Sequence, residues 1–228
     1  MQKTIEFLSD DLTLEGIISK PETRIKIPCV ILCHPHPLYG GNMLNDVNIN
    51  VAQTLYELGI ASLLFNFRGV GNSQGTFENG KRGVSDITSA YNFISNLPNI
   101  NSDKIGVAGY SFGASIALEL LLKNQQNKQN TEIKSFAFMS CPSTSLENLY
   151  QQYITNNADL LNNLVETTKV FVYGDQDELI NQNTYTVLLK HFCKPNEIYK
   201  IKGTNHIFTG ANDENSKIIG DFFHSTLK

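Results

Sequence analysis

Apolar residues fall along this chain in two alternating rhythms. QKTIEFLS (2–9) and LTLEGIIS (12–19) flank Asp10-Asp11 and predict an antiparallel opening hairpin. PCVILCH (28–34) is apolar at odd and even positions alike, as a strand buried on both faces of a parallel sheet should be. In residues 43–59 the apolar positions Leu44, Val47, Val51, Leu55 and Leu58 recur at helical spacing, and Gly59 supplies a stop. IASLLFNF (60–67) predicts another two-faced strand. Val84, Ile87, Tyr91 and Ile94 form the next helical stripe, closed by Pro98. DKIGVAGY (103–110) predicts a strand, and residues 112–123 a buried helix, since they are apolar nearly all round. NQQNKQN (124–130) is polar and predicts a solvated loop. Strands are expected at 133–141, 169–175 and near 197–201, with helices over 181–192 and 214–227. Between 142 and 168, Leu146, Leu149, Tyr150, Tyr153, Leu160, Leu161 and Leu164 predict one or two short helices, too little for a large lid.

A hairpin followed by repeated strand–helix units implies an α/β architecture, with a mainly parallel sheet covered by helices on both faces. With no Pro/Gly/Ser-rich linker and no internal repeat, residues 1–228 are expected to form one domain.

The composition is that of an ordinary globular protein: 41% hydrophobic and 18% charged residues, with a net charge of −4 from 18 basic and 22 acidic side chains. That balance favours neither nucleic acid nor an anionic membrane as a partner. No apolar run reaches membrane-spanning length, and residues 1–11 carry no apolar signal core, so a cytoplasmic location is expected. Cys29 and Cys33 share a strand and should sit ~13 Å apart, too far for a disulfide. Cys141 and Cys193 belong to no C-x-x-C pair. Four reduced, mostly buried thiols are expected.

The chemistry concentrates at VAGYSFG (107–113), where Ser111 stands between Gly109 and Gly113 at the carboxyl end of a predicted strand and the start of a predicted helix. Ligands gather at that end of a parallel sheet. A sharp strand-to-helix turn presents a serine hydroxyl clear of its own backbone, and glycines on either side remove side chains that would crowd it. The start of the helix then aims the N–H of Phe112 at any developing oxyanion. A base and an acid should follow in the order Ser, Asp/Glu, His. VYGDQDELI (172–180) offers Asp175 and Asp177, and GTNHIFTG (203–210) offers His206, whose ordinary pKa suits a base. Spacing alone does not choose between the two aspartates. The second oxyanion donor should come from CHPHPLYGG (33–41), where Pro35 and Pro37 have no N–H to give, leaving His36, Leu38 or Tyr39.

On these motifs, with FNFRGVGNSQG (65–75), GYSFG, GDQDELI, GTNHIF and HPHPLYGGNM (34–43), the chain resembles the α/β-hydrolase superfamily over nearly its full length. It is similar to a small, lidless bacterial group that includes dienelactone hydrolases and short-chain carboxylesterases. The resemblance implies an eight-stranded sheet with a minimal cap, and a serine esterase acting on a small ester without a cofactor. It implies Asp177 as the acid, since the second aspartate of G-x-x-D usually fills that role. Laid on the superfamily's His-Gly-X, His34-Pro35-His36 points to His36 as the second oxyanion donor, although Pro35 replaces the usual glycine. Tyr39, Leu179 and Phe208 flank the site as candidate pocket residues, as does the Phe112 side chain.

Other readings of the same residues lead elsewhere. His34 and His36 form an H-x-H pair that could ligate zinc, but no further ligand cluster stands at suitable spacing. GVGNSQG (69–75) lacks a phosphate-binding register, and Arg68 with Asp86 suggests a structural ion pair. The same triad would also serve a thioesterase, a lactone hydrolase or a peptidase. A non-catalytic binding module with this fold is the alternative outside enzymes.

Overall fold

The computed structural model describes residues 2–127, 131–155, 160, 164, 167–192 and 196–228. Among these residues eight strands form one sheet: β1 (Gln2–Ser9), β2 (Leu12–Ser19), β3 (Ile27–Cys33), β4 (Ala61–Phe65), β5 (Ile100–Tyr110), β6 (Ser135–Met139), β7 (Thr168–Gly174) and β8 (Asn196–Ile201). Their spatial order is β1-β2-β4-β3-β5-β6-β7-β8. β1 and β2 pair antiparallel in the predicted hairpin register, Gln2 opposite Ser19 and Ser9 opposite Leu12. β2 also runs antiparallel to β4, and every pair from β4 to β8 is parallel. The sheet is thus mainly parallel, as the strand–helix alternation implied, and its order with the antiparallel hairpin at one edge is the α/β-hydrolase fold that the resemblance implied.

Among the described residues the helices are α1 (Asp46–Glu57), α2 (Gly83–Ser95), α3 (Phe112–Asn127), α4 (Ser143–Leu149), α5 (Gln182–Phe192) and α6 (Asn212–Leu227), besides single helical positions at Leu160 and Leu164. Alternation within β3 shows how they are held. Cys29, Ile31 and Cys33 point to one face, where they join a core with residues of α2, α3, α4 and α5, including Ile87, Leu118, Leu146 and Leu189. Val30 and Leu32 point to the other, where Val51 of α1 and Ile219 and Phe223 of α6 cover them. A strand buried on both sides must be apolar at every position. Cys29, Cys33 and Cys141 are buried free thiols, and Cys193 lies outside the described residues. Burial pushes the Cys29 and Cys141 thiols up to about 12 and raises that of Cys33 as well, so all three stay protonated at neutral pH.

One expectation is corrected. The polar run from Asn124 continues α3 through Asn127 instead of forming a loop. The Asn124 amide donates to Thr131 Oγ1 at 2.7 Å and the Gln125 amide to Thr167 Oγ1 at 3.0 Å, so tertiary partners satisfy side chains that sequence alone assigns to water. Residues 128–130 lie outside the described region. In the stretch after β6, α4 is followed by a π-helical turn over Tyr150–Ile154. Leu160 and Leu164 are helical, and Leu161 is not described.

The loop after β4 is anchored by charge. Arg68 bonds Asp86 of α2 through Nη2 at 2.6 Å and Nε at 3.0 Å, and reaches Asp10 in the β1–β2 turn at 2.9 Å. Ser9 Oγ donates to Asp86 at 2.7 Å. The Asp86 side chain is wholly buried. Removing one partner of a buried pair leaves the other's charge uncompensated, at a cost of about 3–5 kcal/mol. Asp86→Ala is therefore expected to lose about that much unfolding free energy in urea titration. A loss below ~1 kcal/mol would show that the pair contributes little.

Candidate active site

Ser111 is the hinge of the site. β5 must end and α3 begin within one residue, which puts Ser111 at φ 54°, in the left-handed region that a non-glycine side chain occupies at a cost. Its N–H donates to Met139 O at 2.9 Å, which ties the bend to β6. The turn is too tight for flanking side chains. A Cβ on Gly109 would lie 2.3 Å from Gly113 O, and one on Gly113 would lie 2.3 Å from Cys33 O. Both glycines are therefore demanded by the close approach of β3, β5 and α3.

Two further loops deliver their side chains to Ser111. After β7, Gly174 leads into Asp177, whose carboxylate accepts from Leu179 N–H at 2.9 Å. After β8, the loop carrying His206 is tied to the acid loop where Gln176 N–H donates to Thr204 O at 3.0 Å. His206 Nδ1 lies 2.9 Å from both Asp177 oxygens, and Nε2 lies 2.8 Å from Ser111 Oγ. With the proton on Nδ1, the ring donates to Asp177 and accepts from the Ser111 hydroxyl. All three residues are buried, Ser111 at 7%, Asp177 at 4% and His206 at 8% exposure. Water therefore competes weakly for these bonds.

The two aspartates left open by spacing are separated here by what they touch. Asp175 accepts from Gly203 N–H at 2.7 Å and so closes the turn after β8, while Asp177 meets the histidine. Phe208, two residues beyond His206, also adopts a positive φ of 54°.

The loop after β3 forms the facing wall. His36 precedes a short 3₁₀ turn, Pro37–Tyr39, and its carbonyl accepts from Tyr39 N–H at 3.0 Å and Gly41 N–H at 3.1 Å. Leu38 N–H donates to the His36 ring at 3.3 Å. Two of the three candidate amides are therefore spent inside the loop. The His36 amide has no acceptor among the described residues, and neither has that of Phe112 at the start of α3. His34 takes no part in the cavity. Its Nε2 accepts from Phe67 N–H at 3.2 Å and its Nδ1–H donates to Pro35 O at 2.7 Å. Burial drives its pKa down to about 4, so the ring is neutral and both nitrogens are occupied. That leaves no lone pair for an H-x-H metal pair. No group of three or more potential metal ligands occurs among the described residues.

A cavity of about 740 Å³ opens over Ser111 and His206. Tyr39 and Leu179 line it. Phe208 does not: it is fully buried in the core beneath Tyr110, because the turn that presents His206 points the next aromatic side chain inward. The Phe112 ring likewise turns away and packs edge-on against His36 and Phe77, each at 5.2 Å. Sequence reasoning missed Tyr110, which lines the cavity and donates its hydroxyl to His206 O at 3.2 Å. Its place beside Ser111 in GYSFG was the available signal. It also missed the wall built from Asn45, Asp46 and Val47, which reads in sequence only as a helix start.

A hydroxyl, an imidazole and a carboxylate joined in series on a mainly parallel α/β sheet define the serine-hydrolase class of site. A family model described as Serine hydrolase (FSH1) matches residues 27–216, and the chain belongs to that family. It is 31% identical to an uncharacterized protein of Rickettsia prowazekii (strain Madrid E) over 224 residues, which span 96% of this chain and 87% of the relative. A solved α/β serine hydrolase homologue from Coxiella burnetii is 28% identical, superposes with a TM-score of 0.76 and covers 96% of each chain. An α/β serine hydrolase without a lid from Xanthomonas campestris, 21% identical, shares the fold at a TM-score of 0.77 over 99% of this chain and 95% of its own.

Proposed function

We propose that the protein is a carboxylesterase that cleaves small or short-chain acyl esters through an acyl-enzyme. The continuous bond series from Ser111 Oγ through His206 to Asp177 carries this reading. Ser111 Oγ attacks the ester carbonyl carbon as His206 Nε2 takes its proton. Asp177 holds the Nδ1–H tautomer and stabilises the imidazolium without accepting the proton. The amides of Phe112 and His36 donate to the oxyanion. As the tetrahedral intermediate collapses, the C–O bond to the alcohol breaks and His206 returns the proton to the departing oxygen. Water then attacks the acyl-serine with the same base, releasing the acid and the free hydroxyl.

Labelling by a fluorophosphonate, mapped to Ser111 by mass spectrometry, tests whether the serine is activated. An unlabelled Ser111 would favour the binding-module reading. The short-chain preference rests on the mouth of the cavity, where Tyr39, Leu179 and Ile207 stand 90%, 49% and 58% exposed. None of the lining residues comes from 142–155. A long acyl chain would therefore leave most of its length in water. For p-nitrophenyl esters of rising chain length, kcat/KM is expected to peak among the short acyl groups and fall at dodecanoate. A rise that continues to long chains would overturn the preference while leaving the triad reading intact.

No helix among the described residues is long and apolar enough to cross a membrane. In keeping with its formal charge of −4, we propose a small-molecule ester, rather than nucleic acid or a membrane, as its partner, and a cytoplasmic location.

A further inference from the structure

The Ser111 cavity is electrostatically one-sided. Asp46 is among its lining residues, and no lysine or arginine is. Of the two histidines in the wall, burial pushes His36 toward its neutral form, and His206 is committed to Asp177 and Ser111. The chain around the wall repeats the bias. Glu178 adjoins Leu179, and Asp213 and Glu214 follow Asn212, whereas no lysine or arginine lies within three residues of any lining position.

Asp46 is exposed and opens α1, and its carboxylate has no hydrogen bond or ion pair among the described residues. An acid in the first turn also answers the positive end of a helix, which amounts to about half a charge. The carboxylate carries a full one, so the sign at this wall remains negative. A charge that no protein group neutralises, on the rim of a catalytic cavity, acts on whatever enters.

We propose that Asp46 makes the site selective by charge: it favours esters whose tail, lying along residues 40–47, is cationic or neutral, and disfavours tails that carry a carboxylate. This deepens the serine-hydrolase reading and rests on it. The lining is also apolar at Leu179 and Ile207, so the substrate class is an ester with one apolar arm and one uncharged or positively charged arm.

The test uses three aryl esters of equal length, ending in trimethylammonium, in its neutral isostere tert-butyl, and in carboxylate. Three phosphonates with the same tails are compared by their rates of Ser111 labelling. An exposed charge pair contributes about 0.2–1 kcal/mol, so the cationic-to-anionic ratio of kcat/KM should be about two- to thirtyfold at low salt, with the neutral ester between. Raising the salt should shrink that ratio. Asp46→Asn should bring it below about twofold. That variant also loses the acid's favourable place at the helix start, which lowers the melting temperature slightly but cannot change a ratio between substrates. Equal rates for the three tails, or a ranking unchanged in Asp46→Asn, would overturn the proposal. If the phosphonates label in the expected order but no ester turns over, charge selection stands and the esterase reading falls. If no phosphonate labels Ser111, both fall.

Discussion

Ser111→Ala is expected to lower kcat for ester hydrolysis by about 10⁶-fold and to abolish fluorophosphonate labelling, while the protein remains folded. The magnitude is that of losing a nucleophile whose triad partners then have nothing to activate; what survives comes from binding and the oxyanion donors alone. Stability should respond in the opposite sense. Ser111 holds φ 54°, where a side chain costs about 1–2 kcal/mol relative to glycine, and glycine's greater freedom when unfolded offsets about half of that. Ser111→Gly should therefore be as inactive as the alanine variant yet melt at the same temperature or higher. Retained turnover in either variant would sink the nucleophile assignment. A fall in melting temperature for Ser111→Gly would show that the bend is not under strain.

The second large effect separates the two aspartates of GDQD. Asp177→Asn is expected to reduce kcat about 10⁴-fold. The reason is the tautomer. A carboxylate only accepts, so it holds the proton on His206 Nδ1 and leaves Nε2 free to accept from Ser111. A carboxamide offers N–H₂ to the same nitrogen, moves the ring proton to Nε2 and blocks the transfer from serine. Asp175→Asn should cost less than about tenfold, since the new amide oxygen still accepts from Gly203 N–H. Steady-state kinetics on one aryl ester reads both variants. Equal losses would mean that the acid loop acts as a unit, and a larger loss at Asp175 would reverse the assignment.

The Arg68–Asp86 pair is a different kind of feature from the triad, though both are buried and charged. Arg68 and Asp86 bond each other and tie the β4 loop to α2 and the opening hairpin, and neither lines the Ser111 cavity. The triad ends on a hydroxyl at the floor of an open cavity. Breaking the first would leave a buried charge without its partner; burial of the second keeps water from competing for the bonds that join Ser111, His206 and Asp177.

Much of this protein was written locally in its chain. The opening hairpin and the strand–helix alternation follow from hydrophobic period, which depends only on which faces a segment must bury. The bend at Ser111 follows from two glycines that allow backbones to meet. The order of serine, acid and histidine was equally legible, since each falls at the predicted end of a strand. Only the folded chain decided the rest, because it depends on residues brought together across the sheet. Thr131 and Thr167 turn a polar run into helix. Asp175 goes to a turn and Asp177 to His206, though both carry the same group two residues apart. Phe208 is drawn into the core by the backbone that presents His206, and Asp46 reaches the cavity wall because α1 begins beside it. Local pattern sets which face a residue must bury; what that residue touches there is set by elements distant in sequence, whose positions only packing specifies.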